Sequence, residues 1–200
     1  MKPFGLTGNI GCGKSTVATL LAKLPDVLVV DCDHIAKEII SNKDHRQHVN
    51  SILGTHVFID QKTDFTAIAR IIFKEPEIKR ALEALIHPLV WANVEERFVA
   101  VGDDKLCIAE SAIIFETKSE DRFAGIIVTS CNPHEQFRRL RVNRQMDDDQ
   151  IQARCNEQLP LSVKEQRAQY VIRTDCSMSQ LMVRVHHLYH TLTHRGVNHE

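Results

Sequence analysis

The 200-residue chain has no excess of charge of either sign: Lys plus Arg is 25 and Asp plus Glu is 26. That balance argues against a dedicated nucleic-acid or membrane-surface binder. No apolar run approaches about 18 residues, so no membrane-spanning helix is expected. No pair of cysteines is spaced C-x-x-C, which argues against a zinc ribbon or a dithiol redox motif. The six cysteines stand at 12, 32, 107, 131, 155 and 176. The opening residues Met1-Lys2-Pro3-Phe4 run directly into a glycine-rich motif, without the charged and apolar stretches of a secretory signal. Reduced thiols and a cytoplasmic location are expected. The motifs of a guanine-nucleotide switch are missing too. No aspartate stands three residues before a glycine, and Asn42-Lys43-Asp44-His45 is one residue out of the N-K-x-D pattern.

What the chain does have is a single soluble domain's worth of apolar residues, 43% of the total, arranged as short runs alternating with longer periodic ones. Phe4-Gly5-Leu6-Thr7, Val27-Leu28-Val29-Val30-Asp31, Leu106-Cys107-Ile108-Ala109, Ile126-Ile127-Val128-Thr129 and Tyr170-Val171-Ile172 read as strands, buried where the apolar residues are consecutive. Helical patterns cover Lys14 to Leu24, His34 to Ile40, and roughly 77–100, 133–145, 147–158 and 178–194. Pro88 is expected to kink or divide the first of the long ones. The alternation predicts an α/β fold with a doubly wound, mainly parallel sheet. The stretch 42–103 holds no convincing buried strand and reads as a mostly helical insertion. Residues 138–169 are rich in Arg, Gln and Asp, and read as a mobile surface element.

The motif Gly8-Asn9-Ile10-Gly11-Cys12-Gly13-Lys14-Ser15 fits G-x-x-x-x-G-K-[ST], between a short strand and a helix. Glycines let the chain curl so that successive N–H groups face one anion, and the helix that starts at the lysine adds its positive dipole end. Lys14 can reach the β- and γ-phosphates of a nucleotide, and the Ser15 hydroxyl can ligate Mg2+. A chain of this size with this loop suits a small-molecule kinase better than a larger motor-type ATPase. Asp31 and Asp33 end the second strand at the rim where ligands bind in such sheets. If the strand persists they project from the same side. Either is placed to accept a proton from an attacking hydroxyl, or to hold a metal-bound water; Asp33 is equally placed to cap the helix that follows.

Cys12 lies inside the anion loop, near a helix start. Two readings stay open: a thiol whose pKa is lowered toward the reactive thiolate, or an inert small residue. Arg138, Arg139, Arg141, Arg144 and Arg154 crowd 138–154; one or two are expected to act on phosphoryl groups, the rest to be solvated. His186, His190 and His194 share one helix face and read as surface histidines.

The segments "LTGNIGCGKSTVA", "VVDCDHIAKEI", "LIHPLV" at 85–90 and "AESAIIFE" at 109–116 together resemble the dephospho-coenzyme A kinase family. The resemblance covers most of the chain to about residue 175. It implies a P-loop kinase with a five-stranded core sheet. The nucleotide-binding core would be 1–41, 104–137 and 170–200, the helical acceptor (coenzyme A) domain 42–103, and the lid 138–169. It implies transfer of the γ-phosphate of ATP, with Mg2+, to the 3′-hydroxyl of the dephospho-coenzyme A ribose. Gly11, Cys12, Gly13, Lys14, Ser15 and Thr16 would hold ATP, Ser15 the metal, and Thr7, Asp33 and His87 the acceptor. Asp33 would be the base, and Lys14 and Arg144 would gather charge from the phosphoryl group. Another nucleoside or small-metabolite kinase is the alternative enzyme, and a regulatory ATPase without an acceptor the alternative outside that class. No nucleic-acid or membrane partner is implied, and no feature sets an oligomeric state.

Several positions depart from the family's usual pattern. Asn9 stands where a second glycine is usual, and Cys12 where a serine is. "ESAII" replaces an aspartate and a proline, which leaves a place for Glu110 near magnesium open. "VIRTDCS" at 171–177 differs from the usual acid-and-asparagine ending. Where arginines four apart are usual, Arg139 is followed at that spacing by Asn143. Arg144 comes one residue later, about 100° further round a helix. For Arg144 to serve, the helix must end near Gln145, with Asp147 or Asp148 capping a new one.

Overall fold

The computed structural model describes residues 2–59, 62–102 and 104–194. Along the chain the elements are β1 (Phe4–Gly8), α1 (Lys14–Leu21), β2 (Val27–Asp31), α2 (Cys32–Ser41), α3 (Arg46–Leu53), β3 (Phe58–Ile59), β4 (Lys62–Thr63), α4 (Phe65–Lys74) and α5 (Pro76–Val101). They continue as β5 (Leu106–Glu110), β6 (Gly125–Ser130), α6 (Pro133–Arg144), α7 (Asp148–Asn156), α8 (Leu161–Arg167), β7 (Tyr170–Arg173) and α9 (Met178–Thr193). The chain forms two compact units, Met1–Asp31 with Val101–Glu200, and Cys32–Ala100. No helix among the described residues is long and apolar enough to cross a membrane.

The first unit is built on a five-stranded sheet in the order β2-β5-β1-β6-β7, with every neighbouring pair parallel. The strands read in the sequence are those observed. Parallel strands need crossovers on the sheet faces, which is why their residues are apolar on both sides. Phe4, Leu6, Ile108, Ile127 and Ile172 pack on one face against Val17, Ala18 and Leu21 of α1 and Leu181, Val185, Leu188 and Leu192 of α9. The buried positions of α9 recur at three- and four-residue steps, the stripe a surface helix needs. His186, His190 and His194 lie off it and are exposed. Each strand points its C-terminal end toward one rim. There β5 ends on Glu110, in register with Leu6 of β1 and with Asp31 of β2.

The second unit is helical, apart from a small antiparallel pairing of β3 with β4. It begins at Cys32 and so takes in α2. Its α5 runs through Pro88 without being divided, where the sequence suggested a kink or a division. Leu82, Ile86, Val90 and Val94 form the helix's buried stripe. Pro88 and Ala84, whose carbonyl loses its helical partner at Pro88, are both exposed. That carbonyl can therefore turn to water, and the helix continues.

The polar stretch 138–169 is more firmly tied to the first unit than its composition suggested. It contributes the buried residues Leu140, Ile151 and Lys164. Lys164 is fully buried, ion-paired to Glu116 at 2.7 Å, and donates to the Ala112 carbonyl at 3.0 Å. Burial pushes the Lys164 pKa down, and the Glu116 carboxylate opposes that.

Candidate active site

The glycine-rich stretch forms a loop between β1 and α1 at the C-terminal rim of the sheet. The Cys12 N–H donates to the Asn9 carbonyl at 3.0 Å, closing a tight turn. Gly13 caps α1 at φ +81°, a left-handed conformation that disfavours a side chain. A Cβ there would also lie 3.0 Å from Thr174 Oγ1. Gly8 is needed for a different reason: its backbone is extended, but a Cβ would lie 2.8 Å from the Thr129 carbonyl oxygen.

Lys14 and Ser15 open α1 and turn to one carboxylate. Lys14 Nζ donates to Glu110 Oε1 at 2.7 Å, and Ser15 Oγ donates to the same oxygen at 3.2 Å. Glu110 is 5% exposed, so a buried carboxylate faces an ammonium and a hydroxyl at the mouth of an N–H-lined loop. Such an arrangement can take a polyanion on the loop and Lys14, and a hard cation on the hydroxyl and carboxylate oxygens. Glu110 is thus a principal member of the site, although the sequence left its place open. The signal was its position: the first acid after the buried apolar run of β5, in register with the strand that feeds the loop.

The loop is held from behind. Arg139 Nη2 donates to the Thr174 carbonyl at 2.6 Å, and its Nη1 to Thr174 Oγ1 at 2.8 Å. Thr174 Oγ1 in turn donates to the Cys12 carbonyl at 2.9 Å. Glu135 orients Arg139 from four residues away, at 2.8 Å. Hydrogen bonds from Arg138, with help from Arg139, hold the Glu135 carboxyl down at about 2. Of the five crowded arginines, Arg139 is the one folded against the loop. Arg138 pairs with Glu135, Arg141 with Asp148 and Arg154 with Glu157, all exposed.

Arg144 ends α6, is exposed, and makes no ion pair or hydrogen bond among the described residues. The break that its function would require is present. Gln145 adopts φ +52° and Asp147 caps the new helix, accepting from the Gln150 N–H.

Two questions the sequence left open are narrowed by the fold. The Cys12 thiol faces inward, fully buried, with its sulfur 3.6 Å from that of Cys131. Hydrogen bonding with Cys131 and then burial push its pKa well up, away from the thiolate. Only the backbone of Cys12 can take part in the loop, and the inert reading stands. Asp31 and Asp33 do not project together from one strand, because β2 ends at Asp31 and the next residue opens α2. Asp33 is exposed and lies in the first turn of α2, inside the helix and not at its cap.

Gly11, Cys12, Gly13, Lys14, Ser15 and Thr16 are thus one contiguous loop and helix start. Thr7 at the end of β1 is buried, and its hydroxyl has no hydrogen-bond partner among the described residues. Asp33 and His87 belong to the helical unit, where His87 is half-buried on α5.

Comparison with known proteins agrees with this geometry. The dephospho-CoA kinase family model matches residues 3–180. The dephospho-CoA kinase of Bdellovibrio bacteriovorus is 34% identical over 186 residues, 91% of this chain and 92% of that protein. That of Aquifex aeolicus is 30% identical over 196 residues, 96% of this chain and 98% of that protein. The crystal structure of TT1252 from Thermus thermophilus superposes with a TM-score of 0.85 at 29% identity, covering 96% of this chain and 98% of that one. A shikimate kinase from Bacteroides thetaiotaomicron, at 16% identity and a TM-score of 0.53, shares the fold. With a family match across most of its length and a phosphate loop closed on Lys14 and Glu110, the chain belongs to the dephospho-CoA kinase family.

Proposed function

We propose that the protein transfers the γ-phosphate of ATP to the 3′-hydroxyl of the dephospho-coenzyme A ribose, giving coenzyme A and ADP. The observation that carries the reading is the cluster of Lys14, Ser15 and Glu110 at the mouth of the loop. Phosphoryl transfer leaves a protein little covalent work, so catalysis is mainly positioning and neutralisation of charge. The N–H groups of the loop and the α1 N-terminus hold the β- and γ-phosphates. Lys14 exchanges its Glu110 partner for phosphate oxygens, keeping a charge-assisted contact throughout.

The hydroxyl of Ser15 and the carboxylate of Glu110 are hard oxygen donors that suit Mg2+. The ion would neutralise charge on the phosphates. Asp33 accepts the proton of the ribose hydroxyl, and Thr7, whose buried hydroxyl lacks a protein partner among the described residues, hydrogen-bonds the acceptor side with His87. Arg144, exposed and unpaired among the described residues, supplies further positive charge. The division of labour follows: the sheet unit for the nucleotide, the helical insertion 42–103 for the acceptor, and 138–169 as the lid. Six free thiols suit the reducing cytoplasm.

The test is ADP formation by the purified protein with Mg2+ and ATP, with and without dephospho-coenzyme A, with the product identified by mass. Acceptor-dependent ADP and a coenzyme A product are expected. ADP formed equally without an acceptor would turn the reading toward a regulatory ATPase, and faster turnover of another hydroxyl metabolite toward a different kinase.

A further inference from the structure

Both backbone polar groups of Ile10, in the first turn of the loop, are held by glutamine side chains from outside it. The Ile10 N–H donates to Gln158 Oε1 at 2.8 Å. The Ile10 carbonyl accepts from Gln136 Nε2 at 2.7 Å. An N–H can only donate and a carbonyl can only accept, so each glutamine amide has one workable orientation. Gln136 projects from α6 and is 8% exposed. Gln158 lies in the link between α7 and α8.

The two contacts are backed by further structure. Next to Gln158, the Leu159 carbonyl accepts from Asn9 Nδ2 at 3.0 Å. The Leu159 N–H donates to Glu116 Oε1 at 2.9 Å, the same carboxylate that pairs with buried Lys164. The link is therefore pinned to the core on one side and to the loop on the other. Gln136 also packs against the loop itself: a Cβ on Gly11 would lie 3.2 Å from Gln136 Cγ.

We infer that Gln136 and Gln158 are positioning residues for ATP, which fix Ile10 so that the N–H groups following it converge on the triphosphate. Free rotation of the two peptide groups flanking Ile10 would re-aim the turn that leads into Gly11. Donors already aimed at an anion need no reorganisation when it arrives. Neither glutamine touches the reacting atoms on this account. Each acts through the Ile10 backbone, and the Ile10 N–H is thereby reserved for the protein and not the ligand. The inference rests on the triphosphate occupying this loop.

The test compares wild type with Gln136→Leu, Gln158→Leu, Gln136→Glu and Gln158→Glu. It measures direct Mg2+-ATP binding by calorimetric titration, KM for ATP against kcat, and thermal melting. Losing one partner of a buried backbone group should weaken ATP binding about 10-fold in either Leu variant. KM for ATP should rise with it, and kcat at saturating ATP should stay close to wild type.

The Glu pair supplies a signature that a merely structural role would not. Gln158 works as an acceptor, and a glutamate there still accepts from the Ile10 N–H. Gln136 works as a donor, and a glutamate there sets a carboxylate against a carbonyl. Both variants add the same charge, so Gln136→Glu should bind ATP at least about 10-fold more weakly than Gln158→Glu. Equal binding by the two Glu variants, or the reverse order, overturns the inference. So does a lowered melting temperature with unchanged ATP affinity. If a Leu variant fails to fold, the Glu pair, which keeps the side-chain volume, decides alone. A wild-type protein that does not bind ATP would instead overturn the reading of the loop.

Discussion

Lys14 Nζ lies 2.7 Å from Glu110 Oε1, joining the first residue of α1 to the last residue of β5 across the C-terminal rim of the sheet. The pair is largely shielded, with side-chain exposures of 14% and 6%. A buried ammonium without a counter-charge would be costly. Glu110 therefore supplies the counter-charge and holds Lys14 Nζ at the loop mouth.

Replacing Glu110 by glutamine separates this holding role from a role toward the metal. The Glu110→Gln side chain retains an amide oxygen that can accept from Lys14 and Ser15, but it leaves the shielded ammonium without its counter-charge, so the melting temperature should fall. The carboxylate charge is gone, and the Mg2+ concentration for half-maximal activity should rise about 10- to 100-fold, the scale typical of residues supporting a metal. Activity titrated against Mg2+ at saturating ATP checks this; an unchanged Mg2+ requirement would confine Glu110 to holding Lys14.

Asp33 stands in the first turn of an exposed helix start, and its proposed work is proton removal. Asp33→Asn keeps the shape and abolishes the basicity. The expected loss in kcat is about 10²- to 10⁴-fold, with ATP binding little changed. Near wild-type turnover would assign the base elsewhere.

Much of this arrangement is legible in the sequence, for a physical reason. Buried parallel strands must be apolar on consecutive residues, so β1, β5 and β6 stand out, and a phosphate loop needs its glycines at set spacings. What escapes is whatever depends on the direction of a side chain or on partners far along the chain. Nothing in "NIGCGKS" says that the Cys12 thiol turns inward to Cys131 while its neighbours line the loop. Gln136 and Gln158 sit in a polar, arginine-rich stretch whose composition is that of a solvated surface, and only the folded chain brings them to Ile10. Asp33 reads as a strand end or a cap because one residue, Cys32, decides whether the strand continues. Pro88 reads as a kink or a division, and the sequence does not reveal which side of α5 meets water.

The buried Cys12 thiol should be slow to react. Cys107, Cys155 and Cys176 are partly exposed and should be alkylated first by iodoacetamide. Cys12 should label only as the protein unfolds, since the thiolate is the reactive form and is disfavoured there. Mass-spectrometric rates at each site decide it; rapid labelling of Cys12 that ATP suppresses would restore the reactive reading.

The pairing of Glu135 with Arg138 and Arg139 predicts a pH dependence of stability. The folded pKa, about 2, lies below the ordinary value of 4.5. A depressed carboxyl contributes stability that is fully present above its unfolded pKa and is lost as pH falls through the folded one. Wild type should thus melt above Glu135→Gln by a constant margin down to about pH 4.5, a margin that narrows toward pH 2. Partial exposure keeps the margin small. Paired melting curves across this range are the measurement, and a gap that widens on acidification would show that the ion pairs do not support the fold.

The arginines of α6 and its end offer the sharpest internal comparison. Arg138 is exposed and shares Glu135 with Arg139, so Arg138→Ala leaves the Arg139 clamp on Thr174 intact and should cost little. Arg144 ends the helix and makes no ion pair or hydrogen bond among the described residues, so its removal should not disturb packing either. If its guanidinium joins the triphosphate, Arg144→Ala should lower kcat/KM by about 10²-fold or more, the scale of losing one donor to the transition state. The two variants lie on one helix and both remove an exposed cation, so a general loss of charge or damage to the 138–169 element would appear in each. A crippled Arg138→Ala beside a nearly normal Arg144→Ala would reverse the assignment, and comparable turnover by both would leave the transferring phosphoryl group to Lys14 and the loop.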